Sequence, residues 1–349
     1  METKPDFAEA QETWQAFWRG ERRCPLVAAV VPRAGTVPTP KPSTYAEGPN
    51  LDVHAFAEAG LRWAETHHFV GAAIPFVYLE FAADQFATFL GSDLTFPKPG
   101  EGGWPTHPYA HLPLAEVEIR FQREGKWWQR IAEIAHQLME RWEGRLLIAA
   151  PTFVSNLDAL VALRGANQVL LDLLDEPEAV HRALAQIDHA HAEILDAFAS
   201  LLQFDRWGSI NRHGMYSTGR INVPQCDFSC LISPAMFREF ALPYLTREFQ
   251  RLDGGEYHLD GPDAIRHLET LCGIQRLHVI QWVPGAARER EDWSHLYRRI
   301  DQLGKGLILG GPRGSLERWA REVTPGRLFW NLTASSLAEA EETVARFSG

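Results

Sequence analysis

The sequence predicts an α/β protein built as a single (β/α)8 barrel of TIM type with an N-terminal helical elaboration. Three observations carry that reading. The last hundred residues read as four consecutive strand–helix units with short links, which implies parallel strands joined by right-handed crossovers. Five further strand candidates lie upstream, near 26–31, 69–79, 145–150, 207–216 and 222–228. A chain of 349 residues suits one barrel better than two domains. Residues 1–349 are therefore read as one domain, with an open doubly wound sheet as the runner-up. No period of 20–50 residues repeats. The Pro38–Pro42 stretch and the Gly-rich loop from Pro97 to Pro113 are too short and too apolar for domain linkers.

The elements follow in order. Val53, Phe56, Ala57, Leu61 and Ala64 fall on one helical face, with Asn50 or Asp52 as cap. Residues 69–79 form an apolar run that predicts one buried strand ending at Glu80. Trp128, Ile131, Ala135, Leu138 and Trp142 repeat at helical spacing over 126–143, and Leu146–Ala150 is a short apolar strand. The longest helix starts at Asp175-Glu176-Pro177. Strands at 256–260, 277–283, 306–309 and 328–332 each precede a helix, the last opened by the capping-box pattern Ser336-Leu337-Ala338-Glu339.

Composition excludes several functions. With 34 Lys and Arg against 45 Asp and Glu, the net charge is −11, which disfavours nucleic acid or an anionic membrane as partner. Four cysteines make no disulfide framework, no apolar stretch reaches spanning length, and Met1-Glu2-Thr3-Lys4-Pro5-Asp6 does not open a signal peptide. A cytoplasmic protein acting on a small molecule is expected, and a homodimer is left open. Twelve Trp imply a very aromatic core or an aromatic-lined pocket.

In a barrel, functional side chains sit at the C-terminal ends of strands. His258 and Asp260 stand at i and i+2 just before the Gly261-Pro262 break, so both point the same way as an acid/base pair or as metal ligands. Asp227 is a second strand-end carboxylate able to divide acid and base roles with Asp260. These three are the expected catalytic residues. Glu80 closes an apolar strand, and Arg212 with His213 offers positive charge to an anionic substrate. Gln225 belongs to the Asp227 segment. Gln281, Trp282, Trp330 and Asn331 are strand-end groups suited to a planar or sugar-like face. Gly310-Gly311-Pro312-Arg313-Gly314 is a weak phosphate-loop signal. The cysteine spacing supports no zinc-thiolate site, and there is no serine-hydrolase elbow.

Leu160-Val161-Ala162-Leu163-Arg164-Gly165, Leu171–Glu178 and Ser233–Tyr244 together resemble the uroporphyrinogen decarboxylase superfamily, from about residue 145 to the end. The resemblance implies a (β/α)8 barrel with its cleft at the strand C-termini, in a group that includes porphyrinogen decarboxylases and cobalamin-linked methyltransferases that use zinc to activate a thiol. The chain departs from both. Arg33 stands alone where the decarboxylases carry an arginine-rich loop, and His258-Leu259-Asp260 replaces the His-x-Cys of the methyltransferases, with no Cys after Cys272. An uncharacterised branch is implied, and uroporphyrinogen itself is not the expected substrate.

The leading expectation is an acid/base decarboxylase or lyase acting on a small polar ring compound, with Trp282 and Trp330 stacking on it and no cofactor. Two alternatives stand beside it. One is a glycoside-cleaving or sugar-modifying enzyme using Asp227 and Asp260, which requires carboxyls about 5–10 Å apart. The other is a metal-dependent methyltransferase with a divalent ion on His258 and Asp260.

Overall fold

Uncharged apolar runs become buried parallel strands, and in this chain they assemble edge to edge. In the computed structural model, which describes residues 1–347, seven strands form one sheet. Its order is His67–Gly71, Leu26–Pro32, Leu328–Leu332, Gly306–Gly311, Val279–Val283, Gly254–Asp260 and Ile221–Asn222. Every pairing is parallel except that of His67–Gly71 with Leu26–Pro32. Phe76–Tyr78 and Leu147–Ala149 form a separate parallel pair. Asn222 ties the two sheets together: its Oδ1 accepts from Phe153 N at 2.8 Å and its Nδ2 donates to Pro151 O at 3.0 Å.

The C-terminal units appear almost as expected, with helices Ser294–Gln302, Arg313–Glu322 and Leu337–Arg346 after their strands. Ser336 caps the last through Glu339 N, and Asp52 caps Val53–Glu65 through His54 N and Ala55 N. Helices Lys126–Trp142 and Pro177–Leu201 also match the reading.

The middle of the chain departs from it. The strand expected over 69–79 is two strands. Gly71 turns the chain at φ +63°, so close to Val27 O that a Cβ would lie 2.5 Å away, and Phe76–Tyr78 then resumes in the other sheet. The strand expected over 207–216 is a hairpin of Ser209–Ile210 with Tyr216–Ser217. Asn211 Oδ1 folds its tip by accepting from His213 N and Met215 N, both at 3.0 Å. The strand expected over 222–228 stops at Asn222, and Asp227–Leu231 is a 3-10 helix. Asp158 opens that helix by accepting from Asp227 N (2.8 Å) and Phe228 N (2.9 Å).

Helix Phe7–Trp18 covers the N-terminal ends of the strands. Trp14 rests on Phe329 (5.0 Å between centroids) and donates to Ala72 O, while Trp18 lies against Gly254 and donates to Tyr216 O. Two of the segments that carry the family resemblance, Leu160–Gly165 and Leu171–Glu178, are tied to each other. Arg164 makes a buried two-pronged pair with Asp172, Nε to Oδ2 at 2.6 Å and Nη2 to Oδ1 at 3.1 Å.

Candidate active site

Alternation along Gly254–Asp260 decides which side chains share a face of the sheet. Glu256, His258 and Asp260 share one face, and the pairing register adds Gln281, opposite His258. The same rule carried across the sheet places Asn331, Ala28 and Val30 on that face. Asn331 is exposed and Val30 is 46% exposed, so the strand C-terminal end of this face is open to solvent.

Three side chains converge there. One ligand atom each from Asp227, His258 and Asp260 lies within 4.8 Å of the other two. His258 Nδ1 donates to Gln281 Oε1, which fixes the tautomer and leaves Nε2 as a bare lone pair. Gln225 donates to Asp227 Oδ2 at 2.9 Å and accepts from Arg212 Nη2 at 3.3 Å. Asp227 Oδ1 is buried without a hydrogen-bond partner, as is Arg212 Nε.

The electrostatics follow from crowding. Burial, then the carboxylates of Asp158 and Asp260, pushes Asp227 up to about 8. Burial also raises Asp260. Burial and the neighbouring Arg212 guanidinium lower His258 to about 4, so its imidazole is neutral. Arg212 is the cation sensed by Glu80, Asp227, Glu256, His258 and Asp260 alike. Below it, His213 Nδ1 and Asn211 Nδ2 both donate to the fully buried Glu256. Burial pushes Glu256 up, but His213 and Arg212 outweigh it and hold its carboxyl below the usual range. Glu80 accepts from Thr152 N at 3.0 Å and is raised to about 7 by burial.

Trp282 and Trp330 correct the sequence reading. Each is adjacent in sequence to an inward residue, so the two-residue period turns it outward. Trp282 packs edge-on against Trp293 at 4.9 Å, and Trp330 is 1% exposed and donates to Gly311 O at 3.0 Å. Neither can stack on a ligand on the other face of the sheet. Of those four, Gln281 and Asn331 lie on the triad's face, and Gln281 touches it through His258.

Sequence reasoning missed Glu256, Asn211 and Asp158. Glu256 was within reach, since it stands two residues before His258 on the same face. Asp158 was not, because its helix Asn156–Arg164 reads as scaffold. Arg313, in the glycine-rich loop, is engaged by Glu317 and Glu342. A cavity of about 920 Å³ opens elsewhere, among helices Lys126–Trp142, Pro177–Leu201 and Phe204–Trp207, and includes none of the triad.

Burial and the surrounding carboxylates keep Cys226 and Cys230 protonated. Among the described residues, no helix is long and apolar enough to cross a membrane.

No family model matches the sequence, and no similar sequence was found among curated proteins. Among solved structures, the chain is similar to a methyltransferase from Methanosarcina mazei over 97% of both chains, with a TM-score of 0.60 and 12% identity. At that identity the likeness is one of fold.

Proposed function

We propose that the chain is an enzyme whose reaction centre is a divalent cation held by Asp227, His258 and Asp260, serving transfer of a small group such as methyl. The observation that carries this is the convergence of three ligand atoms, one each from Asp227, His258 and Asp260, within 4.8 Å of one another. His258 Nε2 is bare because Nδ1 is committed to Gln281, and Asp227 Oδ1 is buried and unpartnered. Two carboxylates and one imidazole form an oxygen-rich donor set, unlike the thiolate set that the family resemblance implies for zinc. A cation bound there would supply Lewis acidity toward a substrate heteroatom. Gln225 and Gln281 orient the ligands, Arg212 balances their charge, and Glu256 holds His213 through Nδ1. The methyltransferase of similar fold supports transfer chemistry, and the same reading takes the two sheets as one (β/α)8 barrel.

A second reading, acid/base lyase or decarboxylase chemistry without metal, is favoured by Asp227, whose carboxyl at about 8 is a ready proton donor beside Asp260. The glycosidase alternative fits less well, because oxygens within 4.8 Å suit a shared cation or proton better than flanking a glycosidic bond. Metal analysis decides between the first two. Purified protein is stripped with chelator, reloaded with zinc or manganese, and assayed for bound metal. We expect one equivalent per chain, lost in Asp260→Asn and in Asp227→Asn. No retained metal in the native protein would leave the acid/base reading standing.

A further inference from the structure

Helix Asn156–Arg164 opens on two buried polar side chains, and both reach across to the segment that carries Asp227. Asp158 accepts from Asp227 N and Phe228 N. Asn156 takes the carbonyl just ahead of them. Its Nδ2 donates to Gln225 O at 3.0 Å and to Glu248 Oε1 at 3.1 Å, while its Oδ1 accepts from Leu157 N at 2.7 Å. The segment is thus gripped on one carbonyl and two amides from a single turn of one helix.

Gln225 is the junction of the site. Its side chain bridges Arg212 Nη2 and Asp227 Oδ2, and its backbone pairs with that of His258, whose N–H donates to Pro224 O at 3.2 Å. Whatever moves Gln225 moves Asp227 relative to His258. Asn156 suits the task of holding it by backbone as well as by amide. It lies in the left-handed region at φ +47°, which asparagine and aspartate enter more readily than other residues that carry a Cβ. Aspartate has no N–H to give to a carbonyl, and glycine reaches neither Gln225 nor Glu248. A turn strained at a buried non-glycine residue persists where its surroundings over-determine it, and functional sites are where such strain collects. Glu248, on helix Leu242–Gln250, fixes the amide from a third element.

We propose that Asn156, braced by Glu248, is a positioning residue for the site of Asp227, His258 and Asp260. Its amide sets the place of Gln225, and through Gln225 the approach of the Asp227 carboxylate to His258 and Asp260. The inference rests on the reading of those three as cation ligands. It extends the machinery of the site two contacts outward, to a helix start that holds no ligand of its own.

Cobalt(II) tests it, because the visible bands of this ion report ligand geometry as well as occupancy. The full-length protein is stripped with chelator and titrated with cobalt. Asn156→Gly keeps the left-handed turn and removes the amide. Asn156→Asp keeps the turn and the bond to Leu157 N and removes the donor. Each should weaken cobalt binding by about tenfold or more and shift the visible bands. Arg164→Met, at the other end of the same helix, is the comparison for stability alone. It should lower the melting temperature most and leave affinity and bands as in the wild type. Hydrogen exchange followed by peptide mass spectrometry reads the same grip without metal. Residues 225–231 should exchange at least about tenfold faster in both Asn156 variants than in the wild type or Arg164→Met. Wild-type affinity, bands and exchange in the Asn156 variants would overturn the proposal, as would losses matched by Arg164→Met. No cobalt bound by the wild type, together with faster exchange in the Asn156 variants, would count against the cation reading alone and leave the positioning role standing.

Discussion

The two halves of this molecule solve the same problem by different means. From residue 254 onward, each strand is held by ladders on both sides and each is followed by a helix. Between residues 72 and 231 the strands shrink to two or three residues, and side chains replace the missing ladder bonds: Asn222 between the sheets, Asn211 at the hairpin tip, Asp158 at the 3-10 start. The candidate site spans the boundary. His258, Asp260, Gln281 and Asn331 come from regular strands, whereas Asp227, Arg212, His213 and Gln225 come from the irregular half. Regular structure sets the direction of its side chains by period; irregular structure sets it by specific polar contacts, each of which can be removed singly.

The largest effect should therefore come from a buried polar pair in the irregular half. Arg164→Met removes one member of the Arg164–Asp172 pair and strands the other as a buried, uncompensated carboxylate. Breaking such a pair costs about 3–5 kcal/mol. Chemical denaturation should show that loss, and a change under 1 kcal/mol would mean that the irregular half does not depend on its polar ties.

Next comes the division between the two faces of the sheet. Trp330→Phe removes indole volume and the bond to Gly311 O, so it should destabilise by about 2–3 kcal/mol while leaving cation affinity within about twofold. Gln281→Leu should do the reverse. It frees the His258 ring and should weaken cation binding by about 10–100-fold at little cost in stability. Calorimetric titration beside a melting curve separates the two. Parallel behaviour of both variants would erase the distinction between inward and outward positions.

That distinction also explains how much could be read in advance. The strands at 254–260, 279–283 and 328–332 were legible because apolar runs bounded by glycine and proline recur there with helices between them. His258 and Asp260 were legible for the same reason. Nearness to a strand end suggests a pocket wall for Trp282 and Trp330, but the parity of their strands turns both to the opposite face. Glu256 satisfies the parity test and was passed over. Asp158 acts on backbone amides 69 and 70 residues away that only folding brings close, and no local pattern marks such a role. Asn211 instead acts on the nearby His213 N and Met215 N, as an Asn two residues ahead of the amide it binds does.

A smaller effect should appear in the pH dependence of the irregular half. Glu248 is fully buried, accepts from Asn156 Nδ2 at 3.1 Å through Oε1, and is raised by burial to about 8. Its folded-state pKa lies above the unfolded value, so its contribution is complete below about 4.5 and declines as pH rises toward 8. Glu248→Gln keeps the amide contact without the charge. Relative to wild type it should gain on the order of 2 kcal/mol between pH 5 and pH 8.5. His191 works with the opposite sign: held near 3 by burial, it draws stability away as pH falls below about 6.5. A flat difference between Glu248→Gln and wild type would show that Glu248 ionises as freely in the folded protein as in the unfolded chain.

The smallest effect belongs to the regular half. Ser336 caps helix Leu337–Arg346 by accepting from Glu339 N at 3.2 Å, while Glu339 Oε2 reaches back to Ser335 N at 2.8 Å rather than to the cap residue itself. The reciprocal bonds of a capping box are thus offset by one residue, and the first turn has two independent supports. Ser336→Ala removes only one of them and should cost about 1 kcal/mol or less. The ladder between Gly306–Gly311 and Leu328–Leu332 spans five residue pairs and does not depend on the cap. Redundancy of this kind is what the irregular half lacks. A loss approaching that of Arg164→Met would show that the last helix holds its strand in place, and that the two halves differ in appearance more than in how they are stabilised.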